Sequence, residues 1–79
     1  MAVYLDIKKA SEKDDSVTYS YSTVDGRSGE FTIDKASGEI QILRLADGDD
    51  DEHLFRRAAH KITKHCREGE LPELTCWAS

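Results

Sequence analysis

The sequence predicts an α+β fold: a four-stranded antiparallel meander sheet, one long C-terminal-half helix packed on one face, and a short fifth strand or tail near the C-terminus. Three observations lead there. The run Phe31-Thr32-Ile33-Asp34-Lys35-Ala36-Ser37-Gly38-Glu39-Ile40-Gln41-Ile42-Leu43 places two alternating apolar/polar segments around a glycine-containing turn, which is a β-hairpin pattern. Val17, Tyr19 and Tyr21 alternate with Thr18, Ser20 and Ser22, and β-branched and aromatic residues favour a pleated surface. Phe55, Ala58, Ala59, Ile62 and Cys66 recur at spacings of three and four, a single stripe on an α-helix. A lone hairpin is marginal in water, so its apolar face needs the cover that this helix offers.

Taken in order, Val3, Leu5 and Ile7 alternate with Tyr4 and Asp6 and predict a first half-buried strand over about 2–8. Lys8 to Ser16 reads as a polar connection, ending in the turn-like Asp14-Asp15-Ser16. The second strand spans about 17–23, and Asp25-Gly26 with Ser28-Gly29 marks the next turn. The hairpin strands cover about 30–34 and 39–44, with Phe31, Ile33, Ile40 and Ile42 facing inward. Within its turn, Gly38 can supply a positive φ, and the Asp34 and Ser37 side chains can bond to the local backbone.

Asp47-Gly48-Asp49-Asp50-Asp51-Glu52 separates sheet from helix. With Asp49 as N-cap and Glu52 at N3, it reads as an acidic capping box, and its charges complement the helix dipole. The helix is expected over about 50–68, with Gly69 at C′ and Pro72 preventing continuation. The tail, 70–79, carries Leu74, Cys76 and Trp77, and Trp77 is expected to cover one end of the core.

Seventy-nine residues make one small domain, too thin to be hollowed into a deep active site. The apolar residues are patterned rather than scattered, which argues for folding. No apolar run is long enough for a membrane helix, and the N-terminus has no basic region of a secretory signal. The reading is cytoplasmic, with Cys66 and Cys76 as free thiols. The formal net charge of −5 disfavours nucleic acid and anionic membranes as partners of the whole molecule.

The constellations that carry chemistry elsewhere are incomplete here. Counted from Asp47, the acidic run puts Glu52 where an EF-hand loop needs glycine and Ala58 where it needs glutamate. His65, Cys66 and Cys76 fall short of the four closely paired ligands of structural zinc. Cys66 and His65 are adjacent on a helix and so diverge, and no nucleophile elbow or phosphate loop occurs. No catalytic residue, metal or cofactor is assigned. Phe31-Thr32-Ile33-Asp34 followed by Ser37-Gly38-Glu39-Ile40 resembles the strand–turn–strand segment of cadherin repeats. The likeness covers only this hairpin, the calcium motifs of that family are missing, and no family is assigned to the full length.

One surface stands out. Arg56, Arg57, His60, Lys61, Lys64 and Arg67 share an arc of about 140° opposite the apolar stripe, and no acid occurs from His53 to Arg67. These six are the candidate partner-binding residues. The expected function is a small non-catalytic protein–protein interaction domain, its partner acidic or a second copy of itself. One alternative is a nucleic-acid-binding accessory protein using the same face; another is an enzyme whose site, using His60 or His65, forms only between chains.

Overall fold

The computed structural model describes residues 4–78. Its elements are β1 (Tyr4–Glu12), β2 (Ser16–Thr23), β3 (Ser28–Asp34), β4 (Ile40–Arg44), α1 (His53–Arg67) and β5 (Leu74–Ala78). The strands form one antiparallel sheet in the order β4-β3-β2-β1-β5, with the helix on one face. The α+β meander therefore stands, and the tail supplies the fifth strand by pairing with β1. The predicted positions 2–3 of the first strand and Ser79 of the tail lie outside the described residues.

Alternation builds the core. Leu5 and Ile7 from β1, Val17, Tyr19 and Tyr21 from β2, and Phe31 and Ile33 from β3 are fully buried. They meet Phe55, Ala58 and Ile62 of α1. Phe31 is central: its ring stacks on Tyr19 at 6.0 Å, lies 6.3 Å from Tyr21 and meets Phe55 edge-on at 5.7 Å. The small Ala58 lets the helix backbone approach the sheet between the larger Phe55 and Ile62. Ala59 and Cys66, expected within the buried stripe, are only half-buried at its margin.

The hairpin turn is built as its residues dictate. Asp34 Oδ1 accepts from Ala36 N and Ser37 N, both at 2.9 Å, and Ser37 Oγ accepts from Glu39 N at 3.1 Å. Gly38, at φ 76°, donates to Asp34 O at 2.9 Å. These donors favour the ionised Asp34 side chain and draw its pKa below the usual carboxylate value.

Three expectations need correction. β1 runs on to Glu12 rather than ending near Lys8, with a bulge between Lys9 and Ser11. Lys9, not an apolar residue, continues the inward row, its side chain only 11% exposed, so the apolar alternation stops before the strand does. Ile42 keeps the inward side expected of it, opposite the buried Phe31, but is 41% exposed because β4 is an edge strand with its own irregularity opposite Glu30 and Phe31. The helix begins at His53 rather than near 50. Finally, the capping box does not form: Glu52 is the N-cap, in left-handed geometry at φ 60°, with no side-chain cap of its own.

Candidate functional site

What replaces the capping box fixes the helix to the sheet. Asp49, only 2% exposed, reaches forward so that Oδ1 accepts from Leu54 N at 2.8 Å and Oδ2 from Phe55 N at 2.9 Å. The Tyr21 hydroxyl donates to Asp49 Oδ2 at 3.2 Å and accepts from Ala46 N at 3.0 Å. One buried carboxylate thus satisfies two orphan amides of the first helical turn and ties them to the middle of the sheet. Burial, with the Asp49 carboxylate beside it, pushes the Tyr21 hydroxyl pKa up. Tyr21 has room for this reach because its cross-strand partner is Gly29: a Cβ there would lie 2.6 Å from the Tyr21 ring, from its hydroxyl and from Arg44 O.

The other helix end closes as expected. Gly69, at φ 82°, donates to Cys66 O at 3.0 Å, and Glu70 N donates to His65 O at 3.0 Å, a Schellman pair. Lys64, His65 and Arg67 in the last turn complement the negative end of the dipole.

Between these anchors the six sequence-predicted residues share the outer side of α1. Arg56, His60, Lys64 and Arg67 are exposed, whereas Arg57 and Lys61 are half-buried. Arg57 Nη1 donates to His53 O at 3.0 Å. None of the five cations pairs with a carboxylate among the described residues; all the ion pairs found there belong to other elements. The helix contributes five positive charges and no negative one to a chain whose net charge is −5.

His60 and His65 have packing partners. His60 meets Trp77 edge-to-face at 5.8 Å, and His65 Nε2 lies 3.4 Å from Thr75 Oγ1. Trp77 is half-buried against the core margin, as expected, and its indole N–H is buried without an acceptor. Two open grooves are formed among the described residues. One, of about 340 Å³, lies on the free sheet face between Ser16, Thr32 and Leu43. The other, of about 310 Å³, lies between the β3–β4 turn and Thr63, Cys66 and Arg67. Neither is lined by His60 or His65. Among the described residues, no three His, Cys, Asp or Glu side chains converge as metal ligands. No described helix is long and apolar enough to cross a membrane.

A second polar cluster lies at the opposite end of the β1–β2 hairpin. Glu12 accepts from Lys35 Nζ at 2.7 Å and Lys9 Nζ at 2.9 Å, and Lys9 Nζ stands 3.5 Å from Glu73. The hydrogen bonds from Lys35 and then Lys9 lower the Glu12 pKa to about 2. Nearby, the buried Tyr19 hydroxyl donates to Pro72 O at 2.7 Å, and desolvation raises its pKa to about 12.

Sequence reasoning missed the Asp49–Tyr21 link. Its signal was present: Tyr21 falls on the inward row of β2, and a buried tyrosine hydroxyl needs a partner. Comparison with protein-family models, with curated proteins and with solved structures finds no match.

Proposed function

We propose that this chain is a small, non-catalytic, cytoplasmic protein–protein interaction domain that docks an acidic partner on the outer face of α1. The observation that carries this reading is the set Arg56, Arg57, Lys61, Lys64 and Arg67, without carboxylate partners among the described residues, on a helix clamped at both ends. Charges held on a rigid element and not neutralised internally favour fast, oriented encounter with a negative surface. The half-buried stems of Arg57 and Lys61 add preorganisation, because part of their rotamer freedom is already lost. The unbridged cysteines support a reducing compartment.

Calorimetric titration with a poly-glutamate peptide tests it at low salt. Binding that weakens as salt rises, and is lost in Arg57→Glu/Lys61→Glu with the fold intact, is the expected outcome. No binding, or binding unchanged by the charge reversal, overturns it. Duplex DNA titrated in parallel tests the nucleic-acid alternative: tighter binding than the peptide, with a steep salt dependence, would put that alternative first.

A further inference from the structure

We propose that a second copy of this chain pairs with the β5 edge, strand to strand about a two-fold axis centred on Cys76, to give a continuous ten-stranded sheet. The sheet has two edges, and they are built differently. β4 is irregular opposite Glu30 and Phe31 and ends in Arg44, which pairs with Glu30 at 3.6 Å. Bulges and charges are the usual means of blunting an edge against further pairing. β5 has none of these. Its five residues keep one unbroken register with β1, from Lys8↔Leu74 to Tyr4↔Ala78. The strand Leu74-Thr75-Cys76-Trp77-Ala78 carries no charge and no proline, and Leu74 is 66% exposed.

Register determines which backbone groups are free. Lys9 N donates to Glu73 O at 2.9 Å, so Glu73, Thr75 and Trp77 turn their backbone groups toward β1. Leu74, Cys76 and Ala78 then point their N–H and C=O groups outward. Antiparallel pairing of two such strands about Cys76 sets Leu74 opposite Ala78, Thr75 opposite Trp77, and Cys76 opposite its own copy. About six main-chain hydrogen bonds form, and no like charges face each other within the strand. That neutrality matters for a chain of net charge −5, which otherwise repels itself. The axis lies normal to the sheet, so both helices stay on one side and the two cationic faces form one larger surface.

So short an interface supports a weak dimer, with a dissociation constant in the micromolar range or above. This inference supplies a partner for the interaction reading above, yet the two fail separately: self-pairing is read as mass without any peptide, and acidic docking is read on the monomeric variant. Sedimentation of the native chain under reductant, up to roughly 1 mM, is expected to show a monomer–dimer equilibrium. Cys76→Lys, which opposes two cations at the axis on the exposed face, is expected to weaken it about ten-fold or more. Leu43→Lys, on the β4 edge, is expected to leave it unchanged.

A short bis-maleimide should join Cys76 to Cys76 in the native dimer, identified by peptide mapping, so the result does not depend on a variant that fails to fold. A monomer at every concentration overturns the proposal. So does a dimer indifferent to Cys76→Lys, one weakened by Leu43→Lys instead, or one without the Cys76 crosslink.

Discussion

Two polar clusters sit at opposite ends of the β1–β2 hairpin and have opposite physics. At one end Asp49 and Tyr21 are buried, and every donor around them has one geometric solution. At the other, Glu12 bridges Lys9 and Lys35 in the open, with 45% of its side chain exposed. The first decides where the helix starts, and so where the cationic face points. The second ties the β1–β2 end to the hairpin turn, but water and salt compete for every contact in it. The lesson concerns burial: removing one partner from a dry network strands the others, whereas removing one from a wet network leaves solvent to replace it.

Substitutions at the two ends should differ in cost accordingly. The largest effect is expected from Asp49→Ala, which orphans two helix amides and the Tyr21 hydroxyl together. A loss of about 3 kcal/mol in urea unfolding is expected, and a loss below about 1 kcal/mol would show that the buried cluster is dispensable. Gly29→Ala comes next at about 2 kcal/mol, because its Cβ would strike the Tyr21 ring and a backbone carbonyl that cannot both retreat. Tyr21→Phe should cost about 1.5 kcal/mol, leaving Ala46 N–H without its acceptor.

Titration separates the ends further. The Tyr19 pKa is raised to about 12 when folded, against an unfolded value of 10.0, so its contribution is complete below pH 10 and is lost as pH rises toward 12. Phenolate absorbance should show Tyr19 still protonated after an unfolded control has ionised. Glu12 runs the other way: its pKa is lowered to about 2 from 4.5, so its contribution holds above pH 4.5 and is lost as pH falls through about 2. Because the group is exposed, Glu12→Gln should shift the neutral-pH melting temperature least of all, by an amount that shrinks with added salt.

Much of the architecture was legible because it rests on local chemistry. The β3–β4 turn follows from Asp34, Ser37 and Gly38 alone, and the helix stop from Gly69. The stripe of Phe55, Ala58 and Ile62 needed only periodicity. What was not legible depends on distant partners. β1 outlasts its apolar alternation because Lys9 finds Glu12 and Glu73. The helix start moves because Asp49 turns inward to Tyr21, 28 residues away in sequence. Ile42 faces inward yet stays 41% exposed because β4 sits at an edge, which its own residues do not announce. The six cations were readable from spacing, but the half-burial of Arg57 and Lys61 was not.

The bare backbone of Gly29 beneath the Tyr21 ring has a use in searching for relatives. Glycine, tyrosine and the aspartate ahead of the helix form a steric and hydrogen-bonded trio, so drift at one position should be answered at the other two. A search template requiring all three, placed on a strand, its neighbour and a pre-helix loop, would find diverged homologues after overall identity has faded. A homologue keeping Tyr and Asp but bearing a bulky residue opposite the tyrosine would have had to rebuild how its helix is anchored.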